Sequence, residues 1–398
     1  MNIQFLEGSI DTIGGVERVV STIANELAKE NSVKIISKEK NRQNPFFSFD
    51  ENIKIVYLLN RVNDRNKRAR KDKRIHVLFC RKIKSLYLRI KLKRQAKKHI
   101  KNLNNPDVII FGRLDAAVYF LPILKKYNIK AKIIVRDPMF YKFCWNKSFE
   151  NKIKKYFPKM VDAFIVSSDE SISDYKKYFD NKYNKIVKMY NPLGIIPKKQ
   201  FNFNSKTVIS AGRLNRQKGF ENLIKAFLKI HNNNPEWKLQ IYGNIDELDE
   251  SYGIYLQKLI NETNSNEFIK ILPASDNIVE VFNNSAIFVM ASRHEGYANT
   301  LVEAMSCGMP CISYNWLKGV DEIITDGVSG LVVNLKDREK YFIGEQTEED
   351  IISLAEKMEY LMQNEDICNY FSENASKIIE TRDRTVIINQ WKELIKNL

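Results

Sequence analysis

In the stretch Arg293-His-Glu-Gly-Tyr-Ala-Asn-Thr-Leu-Val-Glu303, two carboxylates, Glu295 and Glu303, flank a turn that runs into the helical pattern Ala-Met-Ser-Cys-Gly308. A helix N-terminus presents unpaired N–H groups and the positive end of its dipole, which together attract anions. With an anion held there, one carboxylate can take the hydroxyls of a sugar and the other those of a ribose. Two structural readings stand beside this one. Thr300 and Glu303 also fit a capping box, in which Glu303 only reaches back to the N-cap amide. Glu295 can equally be a solvated residue of a polar turn.

A second constellation is Ala211-Gly-Arg-Leu-Asn-Arg-Gln-Lys-Gly219, which follows an apolar run and opens a helical one. Arg213 and Lys218 suit the two phosphates of a nucleoside diphosphate, the first by paired hydrogen bonds and the second as a compact charge. A solvated loop with ordinary cations is the alternative. Gly14-Gly15 would let backbone approach a phosphate or a sugar, although a plain tight turn has the same composition. The pair is not a full G-x-G-x-x-G, and no acidic residue clearly ends the second strand at 32–37, so a nicotinamide cofactor is disfavoured. The chain has no Asp-x-Asp, and His76, His99, His231 and His294 show no metal-ligand spacing. Cations and a helix dipole can neutralise a diphosphate leaving group without a divalent ion. The expectation is a metal-independent site with no cofactor beyond the substrate.

These residues need a scaffold, and the periodicity supplies one. Short apolar runs at 3–6, 32–37, 52–58, 107–111, 131–136, 163–167 and 185–189 alternate with helical pattern, as does the helix carrying Val16, Val19, Val20, Ile23, Ala24 and Leu27 on one face. Alternation of this kind predicts a parallel, doubly wound sheet. The Pro- and Gly-rich stretch from Asn191 to Lys199 reads as a linker. Strands follow at 207–211, 238–242, 269–272, 286–290, 310–314 and 331–333, with helices beginning near Phe220, Tyr252, Asn277, Thr300 and Val320. From Glu348 the pattern is helical to the end. The inferred architecture is α/β, with two Rossmann-like doubly wound domains facing a cleft. They cover 1–191 and 198–375, and a trailing helical segment, 376–398, packs back on the first. In such sheets ligands bind outside the carboxyl ends of the strands, where Gly14-Gly15, the 213–218 loop and Glu295 all fall.

A chain of 398 residues with 44% hydrophobic content fits two soluble domains. No run approaches the ~20 apolar residues of a membrane span. The opening Met-Asn-Ile-Gln-Phe-Leu-Glu enters a strand without a basic-then-apolar leader. Five cysteines without paired spacing indicate neither disulfides nor zinc, and Cys307 and Cys311 read as small buried residues. A cytoplasmic setting is expected.

The chain resembles the retaining glycosyltransferases of the GT-B fold in family four, the glycosyl transferases group 1. The resemblance rests on Gly14-Gly15-Val-Glu-Arg-Val-Val, on Gly212-Arg213-Leu with Gln217-Lys218-Gly219, on the Glu295 and Glu303 pair running into Ala-Met-Ser-Cys-Gly-Met-Pro310, and on Asp326-Gly-Val-Ser-Gly-Leu-Val-Val333. It implies that Arg213 and Lys218 hold the diphosphate, Glu303 the ribose hydroxyls, and Glu295 the donor sugar, nearest the chemistry. It implies donor contacts from Gly14, Gly15, Gly296, Tyr297, Asn299, Thr300 and Leu301, and a base site near 271–274. The donor is expected to be a UDP-linked hexose or N-acetylhexosamine, and the acceptor a lipid-linked or cell-surface glycan. Many members carry His-Asp after the strand at 131–135; this chain has Arg136-Asp137-Pro138, as in a subgroup associated with bacterial surface-sugar assembly. Arg136 and Asp137 are the acceptor-side candidates.

The net charge of +16 resides in one segment. Arg61 to Lys101 holds eighteen Lys and Arg against Asp64 and Asp72, which leaves the rest of the chain neutral. Within this insert (61–104 with its flank), Phe79, Ile83, Leu86 and Ile90 stand at helical spacing among the cations. A helix of this kind can lie on an anionic membrane, bind nucleic acid, or remain solvated. The resemblance favours the first, with the protein peripheral at the inner face of the plasma membrane and no nucleic acid partner. The rival class is a nucleic-acid-binding protein that reuses a nucleotide-binding fold.

Overall fold

The computed structural model describes residues 1–62, 75–137, 145–245, 250–316, 319–335 and 346–398, with backbone alone over 75–83 and at 250. The chain divides into two units, Met1–Pro192 with Thr385–Leu398, and Leu193–Arg384.

The first unit is built on a seven-stranded sheet in the order β3-β2-β1-β4-β5-β6-β7, every pairing parallel. Its strands are β1 (Asn2–Ser9), β2 (Ser32–Lys40), β3 (Lys54–Asn60), β4 (Val108–Phe111), β5 (Lys132–Arg136), β6 (Ala163–Val166) and β7 (Ile186–Lys188). All four residues of β4 are buried because helices cover both faces of the sheet. Alternation sends Ile109 and Phe111 to one core and Val108 and Ile110 to the other. Helix Gly15–Ala28 lays Val19, Val20, Ile23 and Leu27 on the second face.

The second unit carries a six-stranded parallel sheet in the order β10-β9-β8-β11-β12-β13. The strands are β8 (Thr207–Ala211), β9 (Lys238–Tyr242), β10 (Ile269–Leu272), β11 (Ile287–Met290), β12 (Cys311–Tyr314) and β13 (Leu331–Val333). In each sheet the strand order reverses between the first strand and the fourth, β1 beside β4 and β8 beside β11. That reversal opens the crevice at which doubly wound sheets bind ligands.

Four details differ from the sequence reading. β2 runs on to Lys40, so Glu39 does stand at its end, 3.1 Å from Arg61; the missing Gly pattern alone then speaks against a dinucleotide. Near Val320 there is only a 3-10 turn, Val320–Glu322, behind Gly319 at φ 87°. The C-terminal segment joins the first unit from Thr385 and not from 376. Asp383, at φ −52° and ψ 142°, stops the preceding helix, and Arg384–Asn397 then buries Ile387, Ile388, Trp391 and Ile395 beside Val19 and Ile23.

The fourth detail concerns the basic insert. It forms helix Ile75–Lys101, whose far half is not separable from the fold. Leu92, Ala96 and Ile100, spaced four apart, are buried in the core with Leu103, Leu121 and Leu124. Leu86, Tyr87 and Ile90 are 59, 60 and 44% exposed. The side chains of Phe79 and Ile83 lie outside the described residues.

Candidate functional site

In the second sheet Val208 pairs with Ile287 and Ile209 with Phe288, so the loops after β8 and β11 leave the same edge side by side. The first loop passes through a 3-10 turn, Arg216–Lys218, into helix Phe220–His231. Gly219 caps that helix at φ 62°, and a Cβ there would fall 2.2 Å from the Ala291 carbonyl oxygen. Only glycine meets both demands. At Gly212 a Cβ would sit 2.8 Å from Lys218 Cε, so its absence leaves room for the lysine stem to fold back over the strand end.

Lys218 Nζ lies 2.6 Å from Glu295 Oε1, and the same oxygen accepts the Ser292 hydroxyl at 2.7 Å. Around this pair the two loops are laced together. Arg293 N donates to Gln217 O at 2.8 Å, and Gln217 Nε2 to His294 O at 2.9 Å. The Arg293 guanidinium donates to the Glu221 carboxylate and to the Arg216 carbonyl. Burial pushes the His294 imidazole down to about 4, so it is neutral at ordinary pH.

The carboxylate pair flanks helix Asn299–Ser306, which begins one residue before the expected Thr300. Its N-cap is Ala298, held in the left-handed region at φ 44° and ψ 49°, and no side chain caps the helix. The capping-box reading of Thr300 and Glu303 is thereby overturned, because Thr300 is already the second helical residue. Glu295 is not a solvated turn residue either, being 8% exposed. Glu303 is 2% exposed, Tyr297 9% and Leu301 fully buried. Arg213 stands exposed on the loop after β8, while Gly296, Asn299 and Thr300 are half-buried. The structure thus brings Lys218, Glu295 and the start of the Glu303 helix to one edge.

In the first unit the Gly14-Gly15 turn opens helix Gly15–Ala28, but its neighbour is an acid. Glu17 Oε2 lies 2.2 Å from where a Cβ on Gly14 would be, and Thr12 donates to Glu17 Oε1 at 3.1 Å. A carboxylate over the turn suits hydroxyl groups better than phosphate. Arg136 is 5% exposed and donates to Asn191; Asp137 follows it and accepts the Tyr175 hydroxyl. Burial raises Asp137 to about 7, against the lowering effect of the Tyr175 bond. Among the described residues no three His, Cys, Asp or Glu are grouped to hold a metal ion, and no helix is long and apolar enough to cross a membrane.

Comparison with known proteins decides the class. Residues 195–378, nearly the whole second unit, match the family of glycosyl transferases group 1. The chain carries a glycosyl transferases group 1 domain. An uncharacterised glycosyltransferase of Haemophilus influenzae is similar to this chain, 24% identical over 99% of each. An α-1,4-N-acetyl-D-galactosaminyltransferase of Campylobacter jejuni, named for a diphospho-undecaprenol-linked acceptor, is 23% identical over 99% of this chain and 98% of its own. The crystal structure of Anabaena HepE with UDP aligns over 100% of both chains at a TM-score of 0.71 and 15% identity. The fold is GT-B, with two parallel-sheet α/β domains.

Three residues packed around the Lys218–Glu295 pair make contacts that the sequence does not announce. Ser292 stands directly before the Arg293-His-Glu motif, three residues from the glutamate it holds, and could have been noticed there. Glu221 and Arg293 partner across 72 positions, which only the adjacency of β8 and β11 brings together. No local pattern announces that pair.

Proposed function

We propose that the protein is a retaining, metal-independent glycosyltransferase that moves a hexose or N-acetylhexosamine from a UDP-linked donor to a lipid-linked or cell-surface glycan during polysaccharide or capsule assembly. The observation that carries this reading is the Lys218–Glu295 pair, set at the strand-order reversal beside a helix start that no side chain caps. Lys218 and Arg213 would take the diphosphate, whose charge grows as the sugar departs, and the backbone amides of Asn299 to Leu301 would add the helix dipole. Glu295, oriented by Ser292, would face the sugar, and Glu303 the ribose. Gly296 and Tyr297 would add donor contacts in the second unit; in the first, Gly14-Gly15 is the candidate for a donor contact and Arg136 and Asp137 for the acceptor side. Retention and the UDP donor come from the family resemblance and from relatives of this kind; the polyprenyl-linked acceptor is drawn from the Campylobacter jejuni relative's name.

The basic helix supports a place at the inner face of the plasma membrane. Its exposed Leu86, Tyr87 and Ile90 sit among exposed Lys84, Arg89, Lys91 and Lys93, which fits an anionic lipid surface. Among the described residues nothing besides this helix favours nucleic acid. A panel of nucleotide sugars assayed for hydrolysis and for transfer to polyprenyl-diphosphate glycans tests the proposal. Release of UDP from one UDP-sugar, lost in Lys218→Ala, is the expected result. No turnover of any nucleotide sugar with any acceptor would overturn it.

A further inference from the structure

Arg293 and Glu221 form an ion pair with only 8 and 4% of their side chains exposed. Glu221 stands on the first turn of helix Phe220–His231, three residues beyond Lys218; Arg293 stands two before Glu295. The pair does not stand alone. Glu221 also accepts the Tyr252 hydroxyl, and Arg293 also holds the Arg216 carbonyl. The Arg216 guanidinium lies 6.0 and 5.9 Å from the Tyr252 and Tyr255 ring centres. Arg216 opens the 3-10 turn that ends in Lys218, so Arg293 grips the backbone from which that lysine springs.

A buried ion pair is a poor source of stability, because desolvating two charges offsets much of their attraction. What such a pair does well is fix register between two segments. We propose that Arg293 and Glu221 are positioning residues of the glycosyl-transfer site, which set Lys218 and Glu295 at the spacing a donor diphosphate and its sugar require. Neither touches the donor. Arg293 acts through the Arg216 carbonyl on Lys218, and through its own backbone on Glu295, while Glu221 with Tyr252 keeps the guanidinium aimed. Misplacing a charged ligand by an ångström is enough to lose much of its effect on a transition state. The inference rests on the donor-site reading above.

A double-mutant cycle on the full-length protein tests it, with UDP as the probe, calorimetry for affinity and thermal melting for integrity. Arg293→Gln should weaken UDP by about tenfold or more in the otherwise unaltered protein, comparable to loss of a hydrogen bond to a charged group. In a Lys218→Ala background the same change should add less than about twofold, because coupled residues are not additive. A purely structural role would lower the melting temperature and leave the two losses additive. Should Arg293→Gln not fold, Glu221→Gln, which keeps a neutral acceptor for the guanidinium, carries the same cycle. Additive losses, or unchanged UDP affinity in a folded variant, overturn the inference while the Lys218 effect stands. No UDP binding by the unaltered protein overturns the donor-site reading, and this inference with it.

Discussion

Lys218 and Glu295 come from loops 77 positions apart, yet their charged atoms meet at 2.6 Å with 13 and 10% of the side chains exposed. From sequence they have separate partners, phosphate for Lys218 and sugar for Glu295. Paired as they are, each also keeps the other in place before any donor arrives. Glu295→Ala should therefore lower transfer by orders of magnitude and also destabilise the second unit. Breaking a buried pair costs roughly 3–5 kcal/mol, and here, with some solvent access, roughly 2. The double variant Lys218→Ala with Glu295→Ala should melt above the Glu295→Ala single. Denaturant midpoints of the three proteins check this; a double variant no more stable than the Glu295→Ala single contradicts it.

Glu303→Ala is expected to raise the donor Michaelis constant with turnover little changed, the mark of lost uniform binding. The capping-box explanation no longer competes, since Ala298 caps the helix. Initial rates against donor concentration decide. A fall in turnover at saturating donor would move Glu303 from ribose to chemistry.

The first unit should lose stability as pH rises through neutrality. Glu7, 1% exposed, accepts the Gly112 amide at 2.6 Å, and burial pushes it up to about 8; the Asp115 and Glu17 charges push the same way, against Gly112 and Arg113. A carboxyl whose pKa is raised on folding keeps its proton when the unfolded chain has lost its own. Below about pH 4 both states are protonated, and stability then falls with rising pH until about 8, where the folded form also ionises. Asp137, raised to about 7, adds the same sign. Glu7→Gln preserves an acceptor for Gly112 and removes the titration, so its urea midpoint should vary less between about pH 5 and 9. Identical slopes in the two proteins would contradict this.

The helix Ile75–Lys101 should hold the protein on anionic vesicles. Excising 61–101 would take Leu92, Ala96 and Ile100 out of the core. Replacing exposed Lys84, Arg89, Lys91 and Lys93 by Glu leaves that core intact. At about 1 kcal/mol per cation near the surface, screened by salt, co-sedimentation with phosphatidylglycerol vesicles should collapse while UDP binding persists. Equal partitioning of both proteins would leave the helix as a solvated element.

Much of this was legible in the residues. The strands at 207–211, 238–242, 269–272 and 331–333 match to the residue, because short apolar or alternating stretches there run straight into Gly212, Gly243, Pro273 and Asn334. The helices at Phe220 and Glu348 start where the pattern says; Thr347 and Asp350 form a capping box at the second. What escaped is of a different kind. Ala298 in a left-handed conformation cannot be foreseen, since alanine disfavours it. The buried stripe at 92, 96 and 100 was masked by the lysines around it. The Arg293–Glu221 pair exists only once strand order puts β8 beside β11.

The most direct measurement is calorimetric titration of UDP into the full-length protein, its Lys218→Ala variant and an EDTA-treated sample. One UDP site is expected, weakened at least about tenfold by Lys218→Ala through loss of a charge-assisted contact, and unchanged by EDTA. It should also be competed poorly by an oligonucleotide. Equal affinity in both proteins, strict dependence on a divalent ion, or displacement of UDP by oligonucleotide would contradict the account.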